Sequence, residues 1–296
     1  MTAPQHLPVM SREVVALLRP ERGGLFVDCT VGLGGHSRAL LEAGATRVLG
    51  LDRDPDALAI ARESLSEWGD RVELVHADYR DLPRVLDARG IDGVNGTLAD
   101  LGVSSLQLDA ADRGFSFRRD EPLDMRMDRT QGPTAAELLQ DADERSLADV
   151  IFQYGEERFS RRIARAIVRA REETPVATTG RLAAIVRRAV PRAGYQRIDP
   201  ATRTFQALRI WVNRELEGLD TFLTAAAQCL LAGARLAVIS FHSLEDRIVK
   251  HLFRALERGE AALRIVTKRP LVPDAADVDA NPRARSAKLR AIERWA

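Results

Sequence analysis

The chain has 296 residues, 45% apolar and 29% charged, with a formal net charge of +1. These values exclude a disordered chain, a collagen-like fibre and a disulfide-stapled miniprotein, and the length is ample for a large buried core. Cys29 and Cys229 form no CxxC and no paired framework, which reads as incidental thiols in a reducing compartment.

The elements follow in chain order. Residues 25–30 read as a strand, 32–35 as a turn and 36–43 as a helix. A second strand covers 47–52. Pro55, a favoured first-turn residue, opens a helix through Glu67 with Asp54 as its N-cap. Strand 71–76, helix 82–88 and strand 94–100 come next. This alternation with short loops predicts a doubly wound, Rossmann-like α/β sheet with helices on both faces. From 106 to 198 no strand pattern stands out; helices are expected at 135–139, 144–152, 156–171 and 179–189, then a loop at 191–194. The α/β rhythm resumes with helices 202–217 and 219–231, strand 234–241, helix 243–257 and strands 263–268 and 288–295. Residues 270–285, rich in Asp, Ala and Pro, read as a loop. The expected organisation is a discontinuous α/β domain, 1–105 and 200–296, interrupted by an all-helical insertion, 106–199.

The near-zero total charge hides an uneven distribution. Between Arg158 and Arg214 lie 14 arginines and three acids, a local charge of +11. A solvated arginine face on one helix is the plain alternative; a bias over several elements predicts a polyanion footprint. Arg158, Arg161, Arg162, Arg165 and Arg203 are the candidate polyanion contacts, holding phosphates without reading sequence.

The stretch from Asp28 to His36 contains Gly32, Gly34 and Gly35 between a strand and a helix. Glycine there lets the backbone approach a ligand and leaves helix amides free. Asp52 ends the next strand, 20 residues after Gly32, where an acid accepts from both hydroxyls of a ribose. Dinucleotides and S-adenosylmethionine both fit such a site. A dinucleotide fingerprint needs a third glycine, or an alanine, at position 37, which is Ser37 here. Asp28 adds negative charge, unhelpful beside pyrophosphate but suited to an ammonium or sulfonium. The balance favours S-adenosylmethionine. Asp78 and Tyr79 follow the third strand, where Asp78 could accept from an adenine amine and Tyr79 could pack on the ring or in the core. Asp100 ends the fourth strand, placed to accept from an amine nucleophile or from the amino-acid end of the cofactor.

Together these residues resemble the MraW/RsmH family of bacterial methyltransferases, which modify the N4 of a decoding-centre cytidine in 16S ribosomal RNA. The likeness runs through the stretches 6–10, 30–36, 51–55, 100–109, 113–117, 122–128, 154–159, 200–207, 240–247 and 281–286, nearly the whole chain. The resemblance implies an S-adenosylmethionine-dependent transferase with an inserted helical substrate domain. It carries the family's cofactor contacts onto Gly34, Gly35, His36, Asp52, Tyr79, Asp100 and Gln107. The expected partner is 16S rRNA within the small ribosomal subunit, and a homodimer is compatible with the sequence.

Cytosine N4 is a poor nucleophile because its lone pair is delocalised, so an acceptor for its proton assists transfer. Many amino-directed methyltransferases of nucleic acids have an Asn/Asp-Pro-Pro-aromatic element after the fourth strand. Here Asp100 is followed by Leu-Gly-Val-Ser-Ser. The acceptor is then the backbone, Asp100 or Ser104, with His242 after the next strand as a further candidate or a structural histidine. The rivals are a dinucleotide oxidoreductase, a non-catalytic RNA-binding or ribosome-assembly factor and a DNA amino-methyltransferase. The five histidines show no paired-ligand spacing and no nearby cysteines, so no metal is expected. The start of the chain lacks a signal-peptide pattern, and no apolar run approaches the roughly 20 residues that span a bilayer. The expected location is cytoplasmic, with no membrane partner.

Overall fold

The computed structural model describes residues 8–191, 199–259 and 262–296. Arg192, Arg197, the expected loop at 192–194 and the first two residues of the 6–10 stretch lie outside the described residues. The chain opens with α1 (Ser11–Leu18), β1 (Leu25–Asp28), α2 (Gly35–Glu42), β2 (Arg47–Asp52), α3 (Pro55–Ser64), β3 (Val72–His76), α4 (Leu82–Asp87) and β4 (Val94–Asp100). Helices α5 (Ser105–Asp109), α6 (Ala135–Asp141), α7 (Glu144–Gly155), α8 (Ser160–Glu173), α9 (Thr179–Ala189) and α10 (Ala201–Asn213) follow. The chain then forms α11 (Leu219–Gln228), β5 (Leu230–Ser240), α12 (Ser243–Gly259), β6 (Leu263–Ile265), α13 (Ala275–Ala280) and β7 (Lys288–Arg294).

The strands make one sheet in the order β3-β2-β1-β4-β5-β7-β6. The first five are parallel, and β7 runs antiparallel between β5 and β6. Side chains alternate between the two faces, as the pleat requires. Phe26, Val48, Leu98 and Ile239 pack with Val14 and Leu18 of α1 and Leu40 and Leu41 of α2. Val27, Leu49, Ala99 and Val238 face the other way, into a cluster with Leu82 of α4, Phe222 of α11 and Phe253 of α12. Helices thus cover both faces, as expected of a doubly wound sheet. Strand order reverses between β1 and β4, and Asp28, Asp52 and Asp100 end their strands at that carboxyl edge, where such sheets bind ligands. No described helix is long and apolar enough to cross a membrane.

The chain divides into two compact units, Met1–Gly102 with Leu216–Ala296, and Val103–Glu215. The second boundary falls after Glu215, not after Asp199 as the sequence suggests, because α10 packs along α7 and shares the helical core through Phe205 and Leu208. Its last residue seals the choice: Asn213 donates to Met125 O at 2.7 Å and accepts from Met127 N at 2.8 Å. Periodicity marks α10 as amphipathic but cannot say which core it joins. The expected helix 202–217 stops at Asn213, since Arg214 is left-handed (φ 52).

Other departures have local causes. The stretch read as a loop holds α13 and a 3-10 turn, Pro282–Ser286, capped by the side chains of Asp274 and Asn281. Strand β6 stops at Ile265, and beyond it the Thr267 hydroxyl, not the ladder, accepts from Ala291 N at 2.9 Å. Helix α1 was not expected; its signal is the Val14/Leu18 spacing, which buries against the sheet.

Candidate active site

The turn between β1 and α2 is built on glycine. Gly32 (φ 53) and Gly34 (φ 89) are left-handed, and a Cβ on Gly34 would meet Leu65 and Ser64 side-chain atoms at 3.0 Å. Gly34 caps α2 without placing a side chain over its amides. The turn is tied to two neighbouring strands, β2 and β4: Val31 N donates to Leu51 O at 3.0 Å, Gly32 N to Asp52 Oδ2 at 2.7 Å, and Asp100 N to Thr30 Oγ1 at 2.7 Å. Gly34, Gly35, His36, Asp52 and Asp100 are thereby gathered at one sheet edge.

Behind the turn lies a buried acid–imidazole cluster. Asp28 is wholly buried; its Oδ2 accepts from Ser37 Oγ at 2.7 Å and its Oδ1 from Thr30 N at 3.2 Å. The first bond gives the serine at position 37 a use that glycine could not fill. Burial pushes the Asp28 pKa up, with His36 pulling against it. His36 is 5% exposed, and its Nε2 stands 3.4 Å from Asp100 Oδ2. Burial disfavours the imidazolium, but Asp100 and Asp28 together outweigh it and raise the His36 pKa. The 3.4 Å contact has ion-pair separation without hydrogen-bond alignment. Both ring nitrogens of His36 and Asp100 Oδ1 lack a hydrogen-bond partner among the described residues. Such buried atoms cost about 1–3 kcal/mol each when unpaired, so a polar ligand here recovers free energy.

Asp52 accepts from Asp54 N at 2.8 Å through Oδ1 and from Gly32 N at 2.7 Å through Oδ2. Each oxygen keeps a second lone pair for a ligand donor. Burial raises its pKa to about 6, against the pull of those two amides. Asp78 is differently placed from the sequence expectation. Arg80, two residues on, forks its two oxygens at 2.7 and 2.8 Å, and Arg53 stands 3.5 Å away. Burial would raise Asp78, but the Arg80 fork overrides it and holds the carboxyl below its ordinary value. Tyr79 packs on Phe222, ring centroids 4.6 Å apart, against the core of the sheet unit.

The other two proton-acceptor candidates are engaged. His242 Nδ1 accepts from Glu245 N at 3.4 Å, while its Nε2 lies 3.2 Å from Glu245 Oε1 without a hydrogen bond, and Glu245 Oε2 accepts from Phe241 N at 2.9 Å. Glu245, missed in the sequence, was signalled only by its place three residues after His242. In the helical unit, Ser104 Oγ accepts from Gln107 N at 3.3 Å while Gln107 Oε1 accepts from Ser104 N at 3.0 Å, a capping box on α5. Other residues missed from sequence are Thr30 and Ser37, whose hydroxyls position Asp100 and Asp28 across the turn.

The arginines of the helical unit fall into two groups. Arg161 and Arg162 sit exposed on α8 and pair with no described acid, and Arg158 lies over the Phe159 ring at 4.6 Å. Arg165 pairs with Glu144 at 3.2 Å and Arg203 approaches Glu157 at 3.8 Å, both remaining exposed. Others turn inward: Arg171 donates to Ala142 O at 2.6 Å, Arg181 to Ala170 O at 3.0 Å, and Arg209 forks Glu215 at 2.9 and 2.8 Å. Part of the local positive charge is therefore fold chemistry rather than surface.

Residues 3–295 match the model of the MraW methylase family. The chain is 52% identical over 305 residues to Ribosomal RNA small subunit methyltransferase H of Nitrobacter hamburgensis, covering 99% of this chain and 91% of that protein. Proteins of the same name from Nitrobacter winogradskyi and an Anaeromyxobacter species are 53% and 52% identical, over 99% and 98% of this chain and 92% and 97% of theirs. The chain belongs to the MraW methylase family.

Proposed function

We propose that this chain transfers a methyl group from S-adenosylmethionine to small-subunit ribosomal RNA, at the N4 amine of a cytidine in the decoding region. The methylase and rRNA parts rest on family membership and on relatives about half identical along nearly their whole length. The cytosine N4 and the decoding region rest on the signature stretches alone. The observation that carries the cofactor is the set of unpaired buried atoms on His36 and Asp100, beside a glycine turn and the strand-end Asp52.

Those residues fit the cofactor. Asp52 has lone pairs for two ribose hydroxyls, and the two carboxylates flanking His36 suit a cationic amino-acid end rather than a pyrophosphate. Bound S-adenosylmethionine supplies an electrophilic methyl group and its own leaving group. The protein's task is to hold the acceptor amine in line and to take its proton. With Ser104 Oγ committed to the α5 cap and His242 Nδ1 accepting from Glu245 N, Asp100 Oδ1 is the side-chain acceptor this reading favours. The base must leave its stack to reach the sheet edge, and the exposed α8 arginines hold flanking phosphates.

The test is transfer of labelled methyl from the cofactor to small subunits lacking the modification, followed by mass-spectrometric mapping. N4-methylcytidine in the decoding region is expected. A methyl on another atom removes the finer reading, and no transfer to small subunits or their RNA removes the whole.

A further inference from the structure

Helix α12 carries a pattern that a residue count conceals. Its acids are Glu245, Asp246 and Glu257, and its bases are Arg247, Lys250, Arg254 and Arg258, with His251 between them. Two of the acids, Glu245 and Asp246, are buried against the fold, and the third, Glu257, is exposed with one oxygen held by the fold. Glu245 accepts from Phe241 N, Asp246 pairs with Arg290 at 2.7 Å and Lys288 at 3.1 Å, and Glu257 accepts from Ile265 N at 2.8 Å. Val249, Phe253 and Leu256 are buried in the sheet core. The basic residues occupy positions i, i+3, i+4, i+7 and i+11, which is one face of a helix. Arg247, His251, Arg254 and Arg258 are exposed and Lys250 is half-buried.

Lys250, His251, Arg254 and Arg258 pair with no acid among the described residues. Like charges three and four residues apart destabilise a helix by roughly 0.2–0.5 kcal/mol per pair. An ordinary solvated face relieves this with acids at the same spacing; here Glu245 and Asp246 have been withdrawn, and Glu257 is the one exposed acid of the helix, with one oxygen on Ile265 N. The face runs about 16 Å along the helix axis at 1.5 Å per residue. Because β5 leads into α12 and Ile239 of β5 pairs with Asp100, the first turn stands at the reactive edge of the sheet. The basic face leads away from that edge, on the unit that holds the cofactor residues.

We infer that the exposed face of α12 is a second RNA-backbone contact, separate from the arginines of α8 and carried by the cofactor-bearing unit itself. It takes the phosphates of rRNA near the target nucleotide, and it rests on the RNA reading given above. The test measures binding of a fluorescein-labelled decoding-region rRNA fragment across a salt series, for the wild-type chain and a Lys250→Gln/Arg254→Gln/Arg258→Gln variant. The slope of log Kd against log salt is expected to fall by about 2, at about 0.7 per phosphate on a single strand, with affinity lowered about tenfold or more. The thermal midpoint holds or rises slightly as like-charge pairs are removed, and affinity for S-adenosylhomocysteine stays unchanged, since these side chains bond to nothing in the cofactor site. A single Arg254→Gln variant, losing about 0.7 of slope, repeats the test with less perturbation. If the wild-type chain binds no rRNA, the RNA reading fails and this inference with it. If the wild type binds and the triple variant keeps its full slope and affinity, the α12 contact alone is overturned.

Discussion

The sheet unit and the helical unit use charge in opposite ways. In the sheet unit, the candidate site is concentrated in a few buried groups, and Asp28, Asp52 and Asp100 each hold one place set by backbone amides and hydroxyls. In the helical unit the candidate contacts are many and exposed, and they resemble neighbours such as Arg171 and Arg209 that serve only the fold. Buried charge has few solutions because each group needs a partner, whereas exposed arginine contributes by number and is screened by salt. Single substitutions are therefore expected to be severe at the sheet edge and graded on the helices.

The largest expected effect is at Asp100. Asp100→Ala should lower methyl transfer about a thousandfold, as loss of a positioned proton acceptor does, with the fold intact by circular dichroism. Near-normal turnover would take Asp100 out of the site and make the two units equally tolerant. On the proposed reading, in which Asp52 accepts from both ribose hydroxyls, Asp52→Ala should weaken S-adenosylhomocysteine binding about a hundredfold by calorimetry. An unchanged affinity would move the ribose elsewhere.

Within the helical unit, Arg209→Ala removes the guanidinium fork from buried Glu215 and should cost about 2 kcal/mol by denaturant unfolding, while Arg161→Ala stays within about 0.5 kcal/mol. Equal losses would erase the distinction between inward and outward arginines. Arg161→Gln with Arg162→Gln should weaken rRNA binding about tenfold and reduce the salt slope by about 1.4, sparing cofactor affinity.

The effect of pH is of similar size and divides binding from stability at one residue. Asp52 has its pKa raised by burial to about 6. Ribose hydroxyls select the ionised carboxylate, so cofactor affinity should fall about tenfold between pH 7.5 and pH 5. Fold stability moves the other way. A raised carboxyl pKa penalises the folded state above about pH 6, and the penalty fades as pH drops toward the ordinary value near 4. Calorimetric titrations and thermal melts over this range should show opposite trends, and Asp52→Ala should abolish both.

Much of the sheet unit was readable beforehand because its signals are local. Strand β2 and helix α9 have the limits that their patterns indicate, and Asp54 caps α3 by accepting from Asp56 N at 3.1 Å. Asp78 shows where that reading stops. It was a sound candidate for adenine by position, and only the structure reveals that Arg80 takes both its oxygens. Likewise the residue count credited the helical segment with all its arginines, though several cap helix ends or pair with buried acids.

The alternating strands, the glycine turn and the acid that follows it were determined by the chain itself, since backbone preference and side-chain period act over a few residues. Tertiary structure alone decided which core received α10, which of three candidates kept an unpaired oxygen, and which face of α12 was left mainly basic. Those outcomes depend on partners far apart in the chain, as when Thr30 meets Asp100 70 residues on. A charge has no fixed meaning until folding has chosen its neighbour.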